Sequence, residues 1–232
     1  MKRLLLLSNS TLPGQPFLGW PEPYIREFLG DQKLNILFFP FAGVTFSFDE
    51  YYELVNERFS AMGYSVKSAH TVEDKEAAIA ECDVIAVGGG NTFQLISYLQ
   101  DGWEELIQKK VKSGAPYIGW SAGSNVACPS IKTTNDMPIM EPKSFNALNL
   151  FPIQINPHFT DATIPNHGGE TRSQRLLEFL EANPDMKVLG VPEGSLIQVE
   201  GEDIFFKGSG ELRVFERGKE VRINEANTLV NI

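Results

Sequence analysis

A serine stands between two glycines in Gly119-Trp120-Ser121-Ala122-Gly123, where an apolar run ends and a helical pattern begins. The spacing is G-x-S-x-G, that of a nucleophile elbow. In such an elbow a tight strand-to-helix turn lifts the hydroxyl out of the chain, and the crowding admits only small neighbours. The same residues would also make an ordinary Gly/Ser turn, so the reading depends on partners elsewhere in the chain.

Three features supply candidates. In Val87–Leu95, "VGGGNTFQL", three glycines follow a strand and lead into a helix. The stretch has neither the dinucleotide G-x-G-x-x-G pattern nor a Walker lysine. Its free N–H groups at Gly89 or Gly90, with that of Ala122, are candidates to hold an oxyanion. Of three histidines, His70 falls at the end of an edge strand and His167 in the loop "IPNHGGE". His158, in "QINPHFT", directly follows a strand and is the candidate base. Two acids compete to orient it: Glu193 in "GVPEGS", also at a strand end, and Asp136 in "TTNDMP", able to fold back from the segment after the elbow. The order is then Ser, His, Glu or Ser, Asp, His. Neither matches the α/β-hydrolase, in which the histidine comes last and near the C-terminus. Triads are defined by roles and not by order, so a triad built independently on a flavodoxin-like sheet is expected.

The elements that must position these groups alternate. Candidate strands lie at 3–8, 34–41, 64–69, 83–88, 115–120, 151–156 and 186–191, and most lack in/out alternation, as expected of parallel strands covered on both faces. Helical patterns lie between them. In the segment 47–63, Tyr52, Val55, Phe59 and Met62 form one face, Ser47 and Glu50 have capping-box spacing, and Gly63 suits the position just past the end. The alternation predicts a doubly wound, mostly parallel sheet, flavodoxin-like, with ligands beyond the carboxyl ends of its strands. After Gly194, short strands separated by glycine turns predict an antiparallel β extension over 195–232, within a single catalytic domain spanning 1–232.

Composition narrows the function. The 232 residues carry a net charge of −10, which argues against nucleic acid as a partner. An acidic substrate would need a local cation against that field. Cys82 and Cys128 make neither a disulfide framework nor a zinc pattern and read as buried thiols. "MKRLLLLSNS" is too short and too soon polar for a signal sequence and reads as a buried first strand of a cytoplasmic protein with no membrane span.

"LLLLSNSTLPG", "FFPFAGVT", "DEYY", "VGGGNTFQL", "YIGWSAGSN", "CPSIKTTNDMPI", "LFPIQINPHFT", "GETRSQR" and "VPEG", in that order, closely resemble the peptidase E family of α-aspartyl dipeptidases, from residue 4 to about residue 200. The resemblance implies a fold related to the class I glutamine amidotransferases, which keep a cysteine at the elbow. It also implies a cytoplasmic serine peptidase, without metal or cofactor, acting on small Asp-Xaa dipeptides. Carried over by motif, the nucleophile is Ser121 and the base His158, while the third member falls at Glu193 or Asp136. Arg172, in "GETRSQR", matches the arginine held to bind the substrate's aspartate side chain. Ser124 stands where the family often has alanine. A monomer or a homodimer would serve, and Glu141 and Asn91 are candidates for the substrate amino terminus. Two other readings remain: a cyanophycinase-like or β-aspartyl peptidase, and a non-enzymatic binder using the Gly88–Gly90 loop.

Overall fold

The computed structural model describes residues 1–163 and 168–231. His167 lies outside the described residues.

Five parallel strands form the centre: β1 (Arg3–Leu7), β2 (Asn35–Phe39), β3 (Ser65–Ser68), β4 (Val84–Val87) and β5 (Tyr117–Trp120), in the order β3-β2-β4-β5-β1. β1, β2, β4 and β5 are covered on both faces, which is why they read as apolar runs, while the edge strand β3 keeps Ser65 and Lys67 exposed. On one face Leu5, Leu7, Phe38, Ile118 and Trp120 meet helices α1 (Glu22–Leu29) and α2 (Phe48–Ala61). On the other, Leu4, Leu6, Val87 and Tyr117 meet α3 (Lys75–Glu81), α4 (Thr92–Leu99), α5 (Glu104–Lys112) and the short α6 (Ala122–Asn125). The molecule is thus doubly wound, as the alternation predicts.

Helix α2 starts at the predicted capping box, Ser47 accepting from the Glu50 N–H and Glu50 reaching back to the Ser47 N–H. Its buried stripe differs by one residue from the expected one: Tyr51, Val55 and Phe59 face the core. These are i, i+4 neighbours, the spacing that keeps side chains on one face, and Tyr52 stays only partly covered.

The sixth and seventh strands leave the main sheet. β6 (Gln154–Asn156) and β7 (Lys187–Gly190) pair in parallel with each other, and β10 (Glu211–Glu216) and β11 (Arg222–Glu225) extend them antiparallel into a second sheet. The physical reason is that β1 has no free edge to offer. β8 (Ser195–Glu200) pairs antiparallel with its whole length, and β9 (Asp203–Gly208) and β12 (Thr228–Leu229) follow outward. The antiparallel extension after Gly194 is therefore shared between both sheets. Helix α7 (Arg172–Ala182) packs Leu176 and Leu180 on the second sheet against Val188 and Phe215. No helix of the described residues is long and apolar enough to cross a membrane.

Candidate active site

Ser121 follows β5 with φ 53° and ψ −113°, outside the regions a non-glycine residue favours. The turn is fixed from both sides. The Ser121 N–H donates to the Leu7 carbonyl at 3.0 Å, and the Ser121 carbonyl accepts from the N–H groups of Ser124 and Asn125 at 3.0 Å. The two flanking glycines are required by approach: a Cβ on Gly119 would strike the Gly123 carbonyl, and one on Gly123 would strike that of Val87. Ser124, fully buried, has its Oγ 2.6 Å from the Leu7 carbonyl and so ties the elbow to β1.

His158 and Glu193 arrive from the other sheet. His158 lies just beyond β6, also at positive φ (53°). Glu193 lies on the short crossing, residues 191–194, that carries the chain from β7 of the second sheet to β8 of the first. The expectation that Ser121 and His158 leave strands of one sheet is thus corrected: they face each other across the seam between two. There His158 Nε2 is 2.8 Å from Ser121 Oγ, and His158 Nδ1 is 2.7 Å from Glu193 Oε1. The Glu193 side chain is about half exposed, at 49%. Its effect on the ring is accordingly more one of orientation than of buried charge.

Two residues that sequence reasoning passed over as the polar end of β1 hold this seam. Ser8 Oγ donates to the Val191 carbonyl at 2.8 Å and accepts the His158 N–H at 2.8 Å. Asn9 Oδ1 accepts the Gly194 N–H at 2.9 Å, next to Glu193. Their place carried the signal, since ligands bind beyond the carboxyl ends of the strands in an open α/β sheet and these polar residues directly follow a buried one.

Asp136 is bonded elsewhere. Its carboxylate accepts from the N–H of Thr92 at 2.7 Å and from its hydroxyl at 2.5 Å, and lies 3.1 Å from the Thr134 hydroxyl. It therefore sits at the N-terminus of α4, where the helix dipole favours a negative charge. Among the described residues, Glu193 is the carboxylate bonded to the His158 ring. Asn91 is committed to capping the same helix, accepting from the N–H groups of Phe93 and Gln94, and donates to the Met137 carbonyl. Glu141 is exposed.

A cleft of about 410 Å³ opens over the serine, lined by Gly89, Gly90, Ser121, His158 and Glu193, by Asn9, Ser10 and Thr11, and by Phe17, Phe46, Tyr51, Leu54 and Trp120. The backbone N–H groups of Gly89, Gly90 and Ala122 donate to no acceptor among the described residues. Arg172, the first residue of α7, does not line this cleft. Its Nη1 lies 3.4 Å from the His158 carbonyl, and it borders two neighbouring hollows, one of them shared with Asn135, Asp136 and Asn156. It is half-buried, and burial followed by the nearby Arg175 charge lowers its pKa. Glu170 pairs with Arg175 at 3.8 Å, and among the described residues no carboxylate pairs with Arg172.

The remaining candidates have structural partners. His70 Nδ1 is 2.6 Å from Ser68 Oγ, and its Nε2 is 2.9 Å from Asp49 Oδ1. Both cysteines are free and buried, and desolvation pushes the thiol of Cys82 up to about 11 and that of Cys128 up to about 12. No group of three or more potential metal ligands occurs among the described residues.

A strained serine on a strand-to-helix turn, with an imidazole and a carboxylate in line behind it, has the arrangement of a serine hydrolase. The sequence profile of peptidase family S51 matches residues 4–206, and the chain belongs to that family of serine peptidases. It is 50% identical over 220 residues to Peptidase E of Nostoc sp., covering 94% of this chain and 91% of that protein. It is 48% identical over 224 residues to Peptidase E of Salmonella typhimurium, covering 96% and 97%. Two solved structures share the fold. A putative peptidase E from Listeria monocytogenes matches with a TM-score of 0.67 at 24% identity, covering 90% of this chain and 100% of that one. A peptidase from an acI-B1 Actinobacterium matches with a TM-score of 0.73 at 16% identity, covering 100% and 97%.

Proposed function

We propose that this peptidase hydrolyses dipeptides with an N-terminal aspartate, Asp-Xaa, through an acyl-enzyme on Ser121. The observation that carries the reading is the line from Ser121 Oγ through His158 to Glu193, with both links at hydrogen-bond distance. Ser121 Oγ attacks the carbonyl carbon of the aspartyl residue while His158 Nε2 takes the hydroxyl proton. Glu193 holds the ring by its Nδ1–H and stabilises the imidazolium that forms. N–H groups of Gly89 or Gly90 and of Ala122 receive the oxyanion, a donor of this kind being worth about 3 kcal/mol of barrier. His158 then gives the proton to the departing amine. Water, activated by the same ring, releases aspartate and restores the serine.

The preference for aspartate is supported by Arg172. A half-buried guanidinium without a carboxylate partner among the described residues, at the His158 carbonyl, is a ready counter-charge for an acidic side chain in a chain of net charge −10. In this reading the protein is cytoplasmic, with a small dipeptide as its partner. Its free thiols suit a reducing compartment and its negative charge disfavours nucleic acid. Two measurements test the proposal: turnover of Asp-Leu beside β-aspartyl-Leu, and loss of turnover in Ser121→Ala. Turnover of the β-linked substrate alone would assign the chain to the isoaspartyl or polymer-degrading chemistry. An unchanged rate in the alanine variant would place the nucleophile elsewhere.

A further inference from the structure

We propose that Tyr51 is a positioning residue for the oxyanion site, locking the Gly89–Gly90 peptide so that the Gly90 N–H faces the substrate carbonyl. The inference rests on the reading of Ser121 as the nucleophile and of this glycine loop as the oxyanion donor.

Tyr51 is buried, and its ring lies so close over the loop that a Cβ on Gly88 would come within 2.8 Å of its hydroxyl. That hydroxyl has two partners. The Trp120 Nε1–H donates to it at 2.8 Å, and it lies 3.0 Å from the Gly89 carbonyl. An indole N–H can only donate, so it occupies a lone pair of the phenol. The single phenolic proton is therefore directed to the Gly89 carbonyl. Burial raises the Tyr51 pKa well above the ordinary phenol value, so the proton is present at any working pH.

The consequence falls on the next atom of the backbone. A trans peptide places its N–H opposite its carbonyl, and the described chain has no cis bond. With the Gly89 carbonyl drawn toward Tyr51, the Gly90 N–H points the other way, and no acceptor among the described residues takes it. Two adjacent glycines make the softest peptide in a chain, and Gly90 sits at φ 138°. Rotation of that peptide would turn a carbonyl oxygen on the developing oxyanion in place of an N–H, reversing the sign of the interaction. Trp120 immediately precedes Ser121 and stacks on Phe38 at 5.8 Å, while Phe38 meets Tyr51 edge-on at 5.1 Å. The relay therefore fixes the nucleophile's turn and the oxyanion peptide to one rigid aromatic cluster.

The test compares Tyr51→Phe with wild type by hydrolysis of Asp-Leu, by affinity for the boronic acid analogue of aspartate, and by thermal melting. A serine boronate adduct places a hydroxyl in the oxyanion site, whereas bound substrate does not fill it. The expected result is a fall in kcat of about 10- to 100-fold with KM changed by less than about 3-fold. Boronate affinity falls in parallel, and the affinity for Asp-Leu measured on a Ser121→Ala background is unchanged. A kcat within about 2-fold of wild type per folded molecule, or a loss confined to melting temperature or to ground-state binding, overturns the proposal. If Tyr51→Phe does not fold, Trp120→Phe keeps the phenol but frees its proton. A parallel loss of about 3- to 10-fold in kcat and boronate affinity is then expected, and equal values overturn the proposal. A wild type that neither cleaves Asp-Leu nor binds the boronate would sink the reading beneath it, and would do so before any variant is compared.

Discussion

His158 and Ser8, 150 residues apart in the chain, meet through one hydrogen bond: the His158 N–H donates to Ser8 Oγ at 2.8 Å. The same hydroxyl donates to the Val191 carbonyl. One buried side chain at the end of β1 thus fixes the segments that follow β6 and β7 and sets the second sheet against the first. The histidine so held has a positive φ, a conformation that persists only where its surroundings over-determine it.

Ser8→Ala removes the acceptor from that N–H and is expected to lower stability by about 1–3 kcal/mol. It is also expected to lower kcat on Asp-Leu by about tenfold or more, because the imidazole loses its registration with Ser121. Melting curves and turnover per active site check both. A stability loss with kcat intact would show that Ser8 joins the sheets without positioning the base.

Glu193 and Asp136 separate by what their carboxylates hold. Glu193→Gln is expected to reduce kcat by about two to four orders of magnitude with little change in melting temperature, since the side chain is half exposed. Asp136→Ala removes the acceptor of the Thr92 N–H at the head of α4, and is expected to lower stability by about 1–2 kcal/mol. The distinguishing measurement is the low-field proton resonance of a histidine Nδ1–H bonded to a carboxylate. It should vanish in Glu193→Gln and persist in Asp136→Ala, and the reverse pattern would exchange the two roles.

Much of this arrangement was legible in the chain, for local reasons. Four of the five parallel strands, β1, β2, β4 and β5, announce themselves as apolar runs, and α2 by its capping box. Ser121, His158 and Glu193 each stand just past a strand, where ligands bind in an open α/β sheet. What the pattern did not carry is pairing. Nothing in 151–156 or 186–191 tells a strand of the main sheet from a strand of a second one, because the choice depends on β8 having taken the edge of β1. Helix α1 also escaped, since it is short, has no side-chain cap at its start and draws its order from burying Ile25, Phe28 and Leu29. The choice between Glu193 and Asp136 was likewise one of tertiary contact, invisible to spacing.

Alkaline stability should report the buried thiols. The fold holds Cys82 near 11 and Cys128 near 12, above the ordinary thiol value of 9.0, chiefly by desolvation. Raised acid pKa values mean that unfolding favours ionisation. The contribution is fully present below the ordinary thiol value and is lost as pH rises through it toward the folded values. A loss on the order of 2 kcal/mol per thiol is expected over that window. Denaturant titrations from about pH 8 to about pH 11 should show a steep decline in wild type and a flatter one in Cys82→Ala. Parallel curves would mean that the thiols do not drive it.

Arg172 gives the sharpest expectation, because function and stability should move in opposite directions. Its guanidinium is half-buried without a carboxylate partner among the described residues, and burial together with Arg175 lowers its pKa. Such a charge is unfavourable in the free enzyme and favourable only when an anion meets it. Arg172→Met keeps the apolar stem and removes the charge, so the melting temperature should stay level or rise. The kcat/KM for Asp-Leu should fall by about two orders of magnitude or more, the effect of leaving a desolvated carboxylate unpaired at ~3–5 kcal/mol. Labelling of Ser121 by a fluorophosphonate should continue, since it needs the Ser121–His158 pair and not the counter-charge. Asn-Leu, isosteric but neutral, should be a poor substrate of wild type and lose far less in the variant. Equal losses on the two dipeptides, or a fall in melting temperature that tracks the loss of activity, would mean that Arg172 supports the His158 backbone through its contact with that carbonyl and does not read the aspartate.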